Sequence, residues 1–163
     1  MQEISAGILI YRFNKCNHLQ VLLGKNGGPR WANKNVGAWN IPKGHLELNE
    51  TLIDGAIREF EEETNLIIPK DKINNLISLG TSKTSKNKKI VYIFALEYDY
   101  VPNGSKVDIK SNLCETEYPL NSGIKILVPE LEIAYYFNIE IAENLIFPYQ
   151  KIFLKRLFEN FKK

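Results

Sequence analysis

Apolar positions set the frame of this chain. Residues 4–13 (ISAGILIYRF) mix β-branched and aromatic side chains with small ones, and residues 19–24 do the same after the turn-rich 14–18, predicting a hairpin. Residues 90–98 (IVYIFALEY) are apolar nearly throughout, which predicts a strand near the centre of a sheet. Further strands are expected at 39–41, 124–128 and 133–137, with a weakly alternating one at 72–79. Residues 139–145 and 149–161 read as helices, the second with Ile152, Phe153, Leu157 and Phe161 on one stripe. Residues 25–38 carry Gly27, Gly28, Pro29, Asn33, Asn35 and Gly37 and predict an irregular loop, followed after 39–41 by a turn at Pro42, Lys43 and Gly44. Mixed strands with a few helices predict an α/β (α+β) protein, and no repeat or low-complexity linker divides residues 1–163, so one domain is expected.

The most informative helix is expected at 49–64. Wound at about 100° per residue, it places Glu59, Glu62 and Glu63 within one sector roughly 100° wide. Leu52, Ile53, Ala56, Ile57 and Phe60 form the neighbouring apolar stripe, so the acidic side is held against a buried one. Like charges at spacings of three and four repel and require a counter-charge or a bound cation. Magnesium, a hard cation that binds through a few carboxylates and substrate phosphates, answers that requirement. Arg58 supplies an internal counter-charge and can orient a carboxylate. Gly55 on the acidic side admits a close approach by a loop or ligand. The alternative for this EFEEE run is a solvated acidic face.

Charge and composition narrow the setting. The net charge is +2, which points to no nucleic-acid groove and no membrane patch, and no apolar run is long enough to span a bilayer. Residues 1–11 lack the pattern of a signal peptide, so a cytoplasmic location is expected. Cys16 and Cys114 have no metal-type spacing and read as free thiols. His18 and His45 are isolated, and no Ser-His-Asp or Cys-His signature supports covalent catalysis. The composition leaves a homodimer open.

Candidate contacts lie outside the helix. Trp31, an aromatic in a polar loop, either stacks on a base or packs its loop onto the domain. Lys43 is placed to meet phosphate charge as a point charge. The basic stretch 81–89, with Lys83, Lys86, Lys88 and Lys89, is either a solvated loop or a device that steers an anionic substrate. Tyr92 belongs to the core or reaches the site. Glu115 and Glu117 share a face at period two and offer a further carboxylate pair.

The spacing from Gly44 through Glu50 to Arg58, Glu59, Glu62 and Glu63 matches G-x5-E-x7-R-E-U-x-E-E-x-G-U, where U is aliphatic. A chance match to its Gly, Arg and four Glu in a chain this long is on the order of one in a hundred thousand. The chain therefore resembles the Nudix hydrolase superfamily. Phe60 stands at an aliphatic position, and Asn65 replaces the helix-ending glycine as the next best residue for a left-handed conformation. The segments GGPRWANKNVGAWNIPKGH, SNLCETEYPLNSG and PYQKIFLKRL extend the likeness to a bacterial subgroup of predicted NTP pyrophosphohydrolases. WNIPKGH and KNKKIVYIFALEYD are similar to diadenosine tetraphosphate hydrolases.

The resemblance implies an α/β/α sandwich around a mixed sheet, with the motif as a catalytic loop-helix-loop. It implies Mg²⁺ or Mn²⁺ held by Glu59, Glu62 and Glu63, with the Gly44 carbonyl as a further ligand and Glu50 as an outer contributor. Arg58 would hold a glutamate in place, and Lys43 would contact phosphate. A carboxylate from outside the motif would serve as ligand or general base, with Glu130 first and Glu115 and Glu117 as alternatives. The implied activity is hydrolysis of the pyrophosphate linkage in a nucleoside diphosphate joined to another moiety. Nucleoside triphosphates and dinucleoside polyphosphates lead as substrates, ahead of nucleotide sugars such as ADP-ribose. A nucleotide sensor that retains only the fold is the rival, although such proteins commonly lose motif glutamates and this chain keeps all four.

Overall fold

The computed structural model describes residues 2–84, 86 and 88–162. Its main sheet runs β5 (Ile77–Lys83), β6 (Lys89–Glu97), β1 (Glu3–Phe13), β2 (Leu19–Asn26), β10 (Leu131–Asn138) and β7 (Lys106–Val107). Short strands β3 (Trp39–Asn40) and β4 (Lys43–His45) pair with β2 and β1. The sheet is mixed, because β1 runs parallel to β6 and antiparallel to β2 and β4. A separate two-stranded ribbon consists of β8 (Leu113–Glu117) and β9 (Lys125–Pro129).

Helices cover both faces. On one side α1 (Leu52–Thr64) buries Ala56 and Phe60 against Ala6, Ile8, Ile10, Leu22 and Leu96. On the other, α2 (Ile139–Leu145) and α3 (Lys151–Phe161) contribute Ala142, Phe153, Leu154 and Leu157 to a core with Leu9, Val21, Leu23, Val91 and Ile93. The sandwich explains why residues 5–12 are all buried: alternate β1 side chains enter different cores. Phe60 is fully buried, and truncating such a side chain costs about 3–5 kcal/mol.

Local chemistry sets the ends of α1. The Thr51 hydroxyl accepts the Asp54 N–H at 3.1 Å, so the helix begins at Leu52 rather than at Asn49, whose φ of 63° is left-handed. Asn65 closes it at φ 61°, its N–H reaching the Glu61 carbonyl at 2.8 Å, in the conformation its sequence position required.

Three expectations change. Residues Lys70–Asn75 form a 3₁₀ helix, and the strand expected at 72–79 starts only at Ile77. Residues 81–83 of the basic stretch belong to that strand, which lies at the sheet edge and buries few residues, so its apolar signal is weak. Ser85 and Asn87 of the same stretch lie outside the described residues. The turn expected at 42–44 instead enters β4, where Lys43 pairs with Gly7 and Gly44 with Ala6.

Candidate active site

Arg58 is the hub of the motif. Its Nε and Nη2 donate to both oxygens of Glu50 at 2.7 and 2.9 Å, a bidentate pairing that only a guanidinium provides. Nη1 donates to Glu59 at 3.0 Å and Glu62 at 3.2 Å, and Nη2 also reaches the His45 carbonyl at 2.9 Å. Glu50 in turn accepts the Glu47 N–H at 2.9 Å, which fixes the loop between β4 and α1. The Arg58 hydrogen bonds hold the Glu50 carboxyl below the usual range. Two glycines make the packing possible. A Cβ at Gly44 would overlap the Glu59 carboxylate, and one at Gly55 would overlap Leu46 and crowd Glu50 at 2.9 Å.

Next to this hub stand carboxyls without an arginine of their own. Glu63 is only 4% exposed, and its carboxyl lies within hydrogen-bonding reach of Glu130. Burial pushes Glu63 well above the carboxylate range, and Glu130 and Glu59 add to the push, while Lys43 opposes it. Burial also raises Glu59, and Arg58 only partly counters the effect. On the basic side, burial and then the charge of Lys43 depress the Lys89 ammonium, against Glu3, Glu130 and Glu59. The structure thus brings Glu50, Arg58, Glu59, Glu62, Glu63, Glu130, Lys43 and Lys89 into one electrostatic neighbourhood. Like charges face each other there in both signs.

Glu130 arrives from the link between β9 and β10. Its carbonyl accepts the Gly27 N–H at 3.3 Å, and its N–H donates to the Asn112 carbonyl at 3.1 Å. Asn112 also donates its own N–H to the Glu62 carbonyl at 2.9 Å, so one residue ties the end of α1 to Glu130. Ser111 reinforces the tie by accepting the Leu131 N–H at 3.1 Å. Sequence reasoning missed this brace. It is made of main-chain bonds, which residue types do not announce.

The other candidates are placed elsewhere. Glu115 pairs with Lys125 at 3.3 Å on the exposed ribbon. Glu117 accepts the N–H groups of Asn121 at 2.8 Å and Gly123 at 3.1 Å and so closes the β8–β9 turn. Tyr92 packs on the α1-side core, in register with Ala6 and thereby with Gly44. Trp31 does pack its loop, meeting Phe147 edge-on at 5.5 Å with the Lys34 ammonium 5.2 Å over its ring. It also lines a cleft with Arg30, Cys114, Thr116 and Glu130. Cys114 is a free thiol, and burial raises its pKa, with Glu130 and Glu63 adding to the rise.

Among the described residues, no three His, Cys, Asp or Glu side chains converge into a group able to hold a metal ion. Glu62 is turned toward Arg58 instead. Magnesium takes only one or two protein carboxylates and fills its octahedron with waters and phosphates. The donor chemistry of Glu59 and Glu63 is oxygen-only, and burial raises both carboxyls despite Arg58 and Lys43, which fits such a hard cation.

A family model, the NUDIX domain, matches residues 1–117, and the chain belongs to that family. The phosphatase NudJ of Escherichia coli strain K12 is 35% identical over 75 residues, covering 43% of this chain and 47% of its own. The chain thus spans about half the length of the curated relatives it matches. An Ap4A hydrolase of C. elegans in a binary complex superposes with a TM-score of 0.64 at 19% identity, over 97% of this chain and 96% of that one. The NUDIX domain of Shewanella oneidensis NrtR complexed with ADP ribose does so at 0.63 and 12% identity, over 98% and 88%. These two likenesses show a shared fold. No helix among the described residues is long and apolar enough to cross a membrane.

Proposed function

We propose that this chain is a divalent-cation-dependent pyrophosphohydrolase acting on a nucleoside polyphosphate, either a nucleoside triphosphate or a dinucleoside polyphosphate. One observation carries the reading. Glu59, Glu63 and Glu130 repel one another, and Lys43 and Lys89, which stand among the same carboxylates, repel each other. A cation with a bound polyphosphate relieves both repulsions at once, because it offers positive charge to the carboxylates and negative charge to the ammoniums. The relatives support it: NudJ of Escherichia coli is a phosphatase and the C. elegans neighbour an Ap4A hydrolase.

Glu59 and Glu63 would hold Mg²⁺ or Mn²⁺, with Glu62 and the Gly44 carbonyl as further donors. The ion, when bound, neutralises phosphate oxygens and lowers the cost of charge that develops as the bridging bond breaks. Arg58 keeps Glu50, Glu59 and Glu62 in fixed positions, which removes the need to order them during reaction. Lys43 and Lys89 bind the phosphate chain. Glu130 takes the proton from the attacking water as its oxygen bonds to phosphorus, and the bridging oxygen leaves with the electron pair of the broken P–O bond. The Asn112 tie holds that carboxylate at the end of α1.

The test is phosphate-product release from diadenosine tetraphosphate, the nucleoside triphosphates including oxidised dGTP, ADP-ribose and NADH, each with Mg²⁺ and with EDTA. Rapid, EDTA-sensitive turnover of a triphosphate or dinucleoside polyphosphate is expected. Turnover confined to ADP-ribose would move the substrate to the nucleotide sugars. Tight nucleotide binding without turnover would make the chain a sensor.

A further inference from the structure

Where β1 runs between β4 and β6, the pairing register gathers polar side chains on one face of the sheet. Lys43 stands opposite Gly7 and His45 opposite Ser5 on one flank, and Lys89 stands opposite Glu3 on the other. The alternate residues turn toward α1: Ala6 enters its core, and a Cβ at Gly44 would meet the Glu59 carboxylate. Ser5 therefore lies between the two lysines, one same-face position along β1 from the row of each.

The Ser5 hydroxyl has no partner within the chain. Ser5 is fully buried, and among the described residues its Oγ is the buried side-chain oxygen left without a hydrogen bond. Such a group disfavours folding relative to alanine, a cost that a partner from outside the chain would remove. Its surroundings select an anion. Lys43 and Lys89 stand close enough to repel each other, and His45 adds ring N–H capacity beside them. Glu3, the carboxylate of this face, is 62% exposed and lies 3.9 Å from the His45 ring. Both lysines also act on the carboxylates of the proposed cation site, Lys43 on Glu63 and Lys89 with Glu130 and Glu59, so this face and that site adjoin.

We infer that Ser5 is a phosphate-binding residue: its hydroxyl donates to a non-bridging oxygen of the substrate's polyphosphate chain, which Lys43 and Lys89 grip from either side. The inference rests on the reading of the site as one for nucleoside polyphosphates and adds a neutral donor between the two lysines. Admission of the phosphate requires the side chains of this face to part, and Lys43, His45 and Lys89, all at least partly exposed, have solvent to move into. Folding tolerates the orphan hydroxyl, and ligand binding completes it.

The test is calorimetric titration of methylenediphosphonate, a pyrophosphate analogue whose bridging carbon resists hydrolysis, with Mg²⁺ into wild type and Ser5→Ala, beside the melting temperature of each free protein. Ser5→Ala should bind the analogue on the order of tenfold more weakly, the worth of one hydrogen bond to a charged group. The free variant should melt at or above the wild-type temperature, because an unpartnered buried hydroxyl is gone. A structural role would move both readouts down together, and that result overturns the inference. Equal affinity in wild type and Ser5→Ala overturns it as well, as does a wild type that binds no analogue. If Ser5→Ala shows no cooperative melting, Ser5→Cys, whose thiol is a weak donor, decides by the same comparison. Weakened binding by Ser5→Ala in a protein that hydrolyses nothing supports the Ser5 contact and sinks the hydrolase reading. Turnover with equal affinities does the reverse.

Discussion

Two arginines show what separates a structural charge cluster from a chemical one. Arg12, 8% exposed, donates to Gln20 at 2.8 Å, Asp99 at 2.8 Å, the Val101 carbonyl at 2.9 Å and the Gly104 carbonyl at 2.7 Å, and lies 3.9 Å over the Tyr136 ring. Its one charged partner balances its one charge. Arg58 instead serves Glu50, Glu59 and Glu62 together, with Glu63 and Glu130 alongside and Lys43 and Lys89 near them. The first cluster is complete as it stands and ties β1 to residues 99–104. The second carries an excess of carboxylate that folding alone would not favour, and the proposed cation and polyphosphate would offset it.

If that contrast is right, substitutions at the two clusters should part cleanly between turnover and stability. Glu62→Gln should abolish turnover in the phosphate-release assay while leaving the melting temperature near wild type, since Glu62 is partly exposed and packs little. Unchanged activity would remove Glu62 from the metal site. Glu130→Gln should lower kcat by about 10²–10⁴-fold. Glu132→Gln, two residues on and exposed, should leave kcat unchanged, and equal effects would leave the base unassigned. Arg58→Lys keeps the charge but cannot hold both oxygens of Glu50 and still reach Glu59 and Glu62. A loss on the order of a hundredfold in kcat/KM is expected from the displaced carboxylates.

The Arg12 cluster should respond in the other currency. Arg12→Met strands Asp99 and two carbonyls, at a cost of about 3 kcal/mol. For a protein of this size that is a fall of about 10 °C in Tm, with kcat within about twofold of wild type. A collapse of kcat there would erase the distinction between the clusters. The smallest effect belongs to the helix that carries the glutamates: Thr51→Ala removes the N-cap bond to Asp54 and should cost about 1 kcal/mol by denaturant titration.

What the sequence revealed, and what it hid, follows from the range of the interactions. The glutamates of α1 and their arginine were legible because one helix fixes their relative directions by spacing alone. Asn65 was legible because a left-handed cap narrows the choice of residue. Glu130 could be nominated but not placed, since its approach depends on the ribbon and on the main-chain bonds of Asn112. Glu115 and Glu117 were correctly put on a common face, yet which face of a ribbon points inward is settled by its packing against the 27–38 loop. The edge strand β5 was expected several residues too early and the short β4 escaped notice, because neither has enough buried side chains to imprint a period.

The central claim is that the unpaired carboxylates beside Arg58 form a divalent-cation site, and Mn²⁺ titration of the purified protein followed by electron paramagnetic resonance tests it most directly. Saturable binding in wild type, retained in Arg12→Met and lost or strongly weakened in Glu63→Gln, is the predicted result. No saturable binding in wild type, or equal affinity in wild type and Glu63→Gln, would contradict it.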